Sequence, residues 1–116
     1  PVELLPEVVR GYGQSAYAVV SDPAGPPRVT HVMPTFTGVT LTFGLGRTSC
    51  ALLEANPHLS VLWPAAHAET MSLIVDADVL GVSTDGTVTV RAAAAVRHRP
   101  APQPESHDSV GCASGD

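Results

Sequence analysis

Between Gly38 and Pro64, in GVTLTFGLGRTSCALLEANPHLSVLWP, the hydrophobic period changes from two to about 3.6 and back, which reads as strand, turn, short helix and strand. Val39, Leu41 and Phe43 alternate with Thr40 and Thr42, so one face of the first strand meets a core and the other meets solvent or a ligand. Gly44 and Gly46 permit a tight reversal. Thr48 or Ser49 is expected to cap the helix that follows, because a hydroxyl oxygen can accept a bond from an orphan backbone N–H. Cys50 to Ala55 then supply about one and a half turns, and Asn56 and Pro57 end them. Leu59, Val61 and Trp63 resume the period of two.

The same alternation recurs along the chain. Ser15 to Ser21 and Arg28 to Phe36 flank DPAGPP, which predicts a hairpin with Gly25 at its tip. In its second strand Val29, His31 and Met33 share one face, and Arg28, Thr30 and Val32 the other. Met71 to Val75 reads as a strand with Asp76 and Asp78 near its end. Two such carboxylates can form an acid/base pair or a cation site, but without a third ligand they read as a solvated strand edge. Val79 to Ser83 and Thr87 to Ala92 are joined by Thr84-Asp85-Gly86, a hairpin signal. Ala93 to Ala95 are expected to form a helical turn and Val96 to Arg99 a last strand. At the start, Val2, Leu4, Leu5, Val8 and Val9 fall on one helical face, with Pro6 near the helix start and Gly11 and Gly13 past its end.

A chain of 116 residues has room for one core. Hydrophobic residues make up 44% but aromatics only 4%, so Val, Leu, Ala and Ile must fill the interior around Phe36, Phe43 and Trp63. The net charge of −5 leaves no basic stripe for a phosphate backbone, so nucleic acid is not an expected partner. No apolar run approaches the ~18 residues a membrane helix needs, and no signal-peptide pattern opens the sequence, so a cytoplasmic location is the expectation. Cys50 and Cys112 make neither a disulfide framework nor a zinc pattern, and Cys50 reads as a small buried apolar residue. His107, Asp108 and Cys112 match no zinc spacing, and His67 reads as a surface residue. The expected division is a folded domain over residues 1–100 and a flexible tail over residues 101–116, where apolar periodicity stops.

Arg47 beside Thr48 and Ser49 is the pattern with most chemical content. A helix start offers unpaired N–H groups and partial positive charge, and a guanidinium with two hydroxyls adds donors matched to phosphate oxygens. The same residues also fit a capped helix with an exposed arginine.

Taken together, AYAVVSDPAGPPRVTHVMPTF, GVTLTFGLGRTSCALLEANPHLSVLWP and TVTVRAAAAVRHRP resemble the pyridoxamine 5'-phosphate oxidase-like family of flavin-binding split β-barrels, including its small actinobacterial members. The resemblance spans about residues 12–100 and rests on the element order, the turn before the short helix and the ANP after it. It implies a mainly β fold, a six- or seven-stranded Greek-key-like split barrel with one or two short helices. It further implies a homodimer that holds FMN, or a deazaflavin, at its interface, and an oxidoreductase acting on a small-molecule substrate. By this likeness Gly44, Leu45, Arg47, Thr48 and Ser49 would hold the phosphate end, and His31, Val32 and Met33 would flank the ring. The family usually places Lys and Arg in that turn, whereas this chain has Arg47, Thr48, Ser49 and Cys50. Residues 101–116 carry no counterpart of the basic and aromatic C-terminal segment of pyridoxamine 5'-phosphate oxidases. No catalytic acid, base or metal ligand is indicated. The alternatives are a non-catalytic module for a flavin, deazaflavin, haem or other flat ligand, and an interaction protein with a vestigial pocket.

Overall fold

The computed structural model describes residues 2–65 and 71–98. A 3-10 turn at Val2–Leu4 leads into helix α1 (Leu5–Arg10). The strands are β1 (Ala16–Val20), β2 (Arg28–Val32), β3 (Thr35–Thr37), β4 (Thr40–Gly44), β5 (His58–Trp63), β6 (Ser72–Val82) and β7 (Thr87–His98), with helix α2 (Arg47–Ala55) between β4 and β5. The seven strands form one antiparallel sheet in the order β2-β1-β5-β6-β7-β4-β3.

Connectivity forces this sheet to curl. Laid flat, seven strands would separate β2 from β3 by roughly 29 Å, six spacings of about 4.8 Å. Only Met33 and Pro34 join those two edge strands, and three Cα–Cα steps reach at most about 11 Å. The edges are therefore drawn together into a half-barrel. Its inner face is lined by the alternate residues Ala16, Ala18 and Val20, Leu59, Val61 and Trp63, Leu73, Val75 and Ala77, and Val88, Val90 and Ala92. Small alanines on β1 leave room for Trp63, which is fully buried and stacks on Phe36 with ring centroids 6.0 Å apart. Leu5 and Val9 of α1 and Leu53 of α2 join the same core.

Three sequence expectations change. Arg28 to Phe36 is not one strand, because Pro34 lacks the N–H a ladder needs and the chain crosses there from β2 to the opposite edge. Met71 to Ser83 holds one long strand instead of two, since Asp76 and Asp78 point outward on either side of the inward Ala77 and leave the core face unbroken. Ala93 to Ala95 form no helical turn. They continue β7, where pairing with β6 overrides the weak strand preference of alanine and the register shifts between Asp76 and Ala77 leave Ala93 as the extra residue of a bulge. His67 and residues 99–116, including the expected tail, lie outside the described residues. No described helix is long and apolar enough to cross a membrane.

Candidate functional site

The turn from Gly44 to Ser49 is held by its neighbour hairpin. Leu45 N–H donates to the Gly86 carbonyl at 2.9 Å, and Leu45 itself is buried. Gly86 has φ +91°, and a Cβ there would lie 2.8 Å from the Leu45 carbonyl oxygen, so only glycine lets these two turns approach. The Ser83–Thr87 turn is closed by Ser83 N–H to Thr87 O at 2.8 Å and Thr87 N–H to Asp85 Oδ1 at 3.0 Å, with the Ser83 hydroxyl also donating to Asp85. Those bonds, from Ser83 first and then Thr87, hold the exposed Asp85 carboxyl below its ordinary value of 3.8.

Helix α2 starts earlier than the expected cap. Gly46, extended at φ −75° and ψ 171°, is the cap residue and uses no side chain, while its carbonyl accepts from Cys50 N–H at 3.0 Å. Arg47, Thr48 and Ser49 thus occupy the first turn, where backbone N–H groups lack partners within the helix. The physical reason is that the glycine reaches the extended cap geometry two residues ahead of the first hydroxyl, that of Thr48. Arg47 and Thr48 are exposed, whereas Ser49 is only 4% exposed. No acidic residue stands in the first turn, and Arg47 has no ion pair among the described residues.

Arg47 lines a cleft of about 360 Å³ between α2 and the β6–β7 turn, together with Cys50, Glu54 and Asp85. Cys50 is half-buried, its thiol directed to the Leu45 carbonyl at 3.7 Å. No residue of β2 lines this cleft. The expected residues therefore form two groups within one chain: the helix start, and the pair His31 and Met33, which are exposed at the end of β2 while Val32 is buried.

His31 belongs to a larger surface. Its partner across the ladder is Tyr17, which pairs with Leu62, which pairs with Ile74, which pairs with Val96. These five residues form one row across the outside of the sheet. Tyr17 and His31 rings lie 5.6 Å apart, Val96 is 57% exposed, and Val29 and Met33 add exposed apolar surface at the β2 end. Sequence reading missed Tyr17, Leu62, Ile74 and Val96 as surface candidates. Each looks like any outward strand residue, and only the cross-strand register unites them.

Farther along the same outer face, His58 Nδ1 lies 2.9 Å from Asp78 and the Ser60 hydroxyl donates to Asp76 at 2.8 Å, in an exposed polar cluster. Among the described residues no three His, Cys, Asp or Glu side chains are close enough to hold a metal ion.

No protein-family profile matches the chain, and no curated protein matches it. Solved structures do share its fold. An F420 reductase superposes with a TM-score of 0.60 at 17% identity, over 72% of this chain and 89% of its own. A protein from Listeria innocua assigned as a pyridoxamine 5'-phosphate oxidase gives 0.62 at 12% identity, over 84% and 98%. HutZ, the haem storage protein of Vibrio cholerae, gives 0.55 at 14% identity, over 82% and 94%. At such identities the likeness establishes the fold, which is the pyridoxamine 5'-phosphate oxidase-like split barrel expected from the sequence.

Proposed function

We propose that this protein binds a flavin-type cofactor, FMN or a deazaflavin, between two copies of itself and serves as an oxidoreductase for a small-molecule substrate. The observation that carries this reading is the outward row from His31 through Tyr17, Leu62 and Ile74 to Val96, an apolar face on a sheet whose other side already holds the core. A second copy would cover that row, and would also supply what one chain lacks, a wall opposite the helix start.

The helix start fits a phosphate. Arg47 and Thr48 are exposed there beside first-turn N–H groups, and open space surrounds the Cα atoms of Gly44 and Gly46. Glu54 and Asp85 stand on the same cleft, which places the favourable potential at the Arg47 and Thr48 side. Ser49 would contribute through its backbone N–H because its side chain is buried, and Leu45 would act by shaping the turn. His31 and Met33 would flank a ring, with Val32 holding the strand end to the core. When bound, the cofactor supplies the hydride chemistry, and the chain binds and orients it and excludes water.

A second reading, a non-catalytic holder of a flat ligand such as haem, is supported by the likeness to the haem storage protein and by the exposed imidazole of His31. Titrating FMN, F420 and haemin into purified protein, followed by the visible spectrum, separates the two. Saturable FMN or F420 binding with a perturbed spectrum is expected, and binding of haemin alone would replace the first reading with the second.

A further inference from the structure

The cleft at Arg47 carries charge of both signs, unevenly. Of its lining residues Arg47 is the one cation, while Glu54 and Asp85 bring two carboxylates. Arg47 stands in the first turn of α2, and Glu54 follows seven positions later, about 10 Å farther along the helix axis. Asp85 belongs to the other wall, the turn between β6 and β7.

Neither carboxylate is neutralised by Arg47. Among the described residues the one close ion pair is His58–Asp78, so the guanidinium is left for a ligand and the two carboxylates keep their own field. Asp85 accepts from the Ser83 hydroxyl and from Thr87 N–H, and because these bonds hold its carboxyl below the ordinary value it is ionised throughout the neutral range. A cleft of about 360 Å³ is on the order of one screening length across, about 8 Å at physiological ionic strength, so a ligand seated in it feels all three charges. Such a cleft accepts one anionic end and penalises a second. A phosphate at the helix start meets the guanidinium and the first-turn N–H groups, whereas an anion attached beyond the phosphate meets carboxylates and no further lining cation.

We propose that Glu54 and Asp85 make this cleft selective for a cofactor that ends in a single phosphate, as FMN does, against one whose chain continues past its phosphate into further carboxylates, as that of F420 does. The inference rests on the cofactor reading above and narrows it, since that reading admits FMN and a deazaflavin alike. The discrimination lies in the tail and not in the ring, because both carboxylates stand on the cleft that takes the phosphate end. Glu54 and Asp85 touch no reacting atom and act on which cofactor is held.

The test titrates FMN and F420 separately into the full chain and reads each dissociation constant from the fluorescence of the cofactor. At about 0.05 M salt the wild type should hold FMN at least about tenfold tighter than F420, and the ratio should narrow at about 0.5 M salt as the carboxylates are screened. In the double variant Glu54→Gln with Asp85→Asn the ratio should fall at least about fivefold, mainly because F420 binds more tightly. The amide at position 85 keeps an acceptor oxygen for Ser83 and Thr87, so the turn is retained. Asp78→Asn removes a carboxylate that does not line the cleft and should leave the ratio as it is. A ratio unchanged in the double variant, a ratio narrowed equally by Asp78→Asn, or a wild type that prefers F420 would each overturn the proposal while the cofactor reading stands. Failure of the wild type to bind either cofactor would remove that reading, and this inference with it.

Discussion

The outside of the sheet has two halves built from the same strands. Toward one end, Leu62 of β5, Ile74 of β6 and Val96 of β7 continue the row of Tyr17 and His31. Toward the other end, His58 of β5, Asp78 of β6 and Arg91 of β7 form a charged row that runs on to Thr40 of β4. Both rows point away from the core. The charged one is what a solvated sheet face ordinarily shows, while a contiguous apolar one marks a surface with something to cover it. Alternation thus says which residues face outward, and the identity of the outward residues says what the outside meets.

The largest effect is expected from placing a charge in the apolar half. If a second copy covers that row, Ile74→Asp buries an unpaired carboxylate and should weaken self-association by roughly 100-fold or more, about 3 kcal/mol. Light scattering after size exclusion measures it, with Asp78→Ala in the charged half expected to leave the mass unchanged. A monomeric wild type at micromolar concentration would break the comparison at its root.

Arg47→Ala sharpens it by separating ligand from interface. Loss of a charge-assisted bond to phosphate should weaken FMN or F420 by about 10- to 150-fold, roughly 1.5–3 kcal/mol, with oligomeric mass unaltered. The loss should shrink at high salt, because Arg47 is exposed. Equal affinity of wild type and variant would remove the phosphate assignment.

Gly86→Ala tests a part of the molecule that belongs to neither half but positions the helix start. The left-handed backbone alone costs about 1–2 kcal/mol for a side chain, and the 2.8 Å approach to the Leu45 carbonyl adds to it. Denaturant melts should show the loss of stability, and an unchanged midpoint would mean that the two turns are not locked together.

Within the charged half, His58→Ala should shift stability by under about 1 kcal/mol, since both partners of the 2.9 Å His58–Asp78 contact are largely exposed. A pH series on Asp85→Asn gives a small effect of defined sign. The folded carboxyl of Asp85 lies below its ordinary value of 3.8, so its contribution is present above that pH and fades as pH falls through the folded value. The variant and the wild type should therefore differ at neutral pH and converge in strong acid, and a gap that widens on acidification would contradict the hydrogen-bond assignment.

Local pattern sufficed for much of the molecule. The strand, turn, helix and strand of residues 38–64 follow in the order that period and punctuation indicate, with α2 beginning at Arg47 ahead of the expected cap, and the hairpin at Asp85-Gly86 and the start of α1 at Leu5 beside Pro6 are where they were expected. These features depend on neighbours within a few positions: alternation about a core face, a proline without a donor, a glycine able to take positive φ. The split-barrel resemblance and the position of Arg47 at a helix start were legible for the same reason.

Tertiary structure decided what depends on distant partners. Alanines 92 to 95 lie in a strand because β6 pairs with Ala92, Ala94 and Ala95 and the Val39 carbonyl accepts from Ala92 N–H, and no local propensity encodes those partners. The break at Pro34 became the closure of the half-barrel only because β2 and β3 sit at opposite edges of one sheet. The outward row across five strands and the buried Trp63 N–H, without an acceptor among the described residues, likewise exist only in register and in packing. Sequence determines the period of each strand and the direction each side chain takes from it. Which side chains then become neighbours is determined by strand order, because hydrogen-bond ladders join residues whose separation along the chain carries no signal.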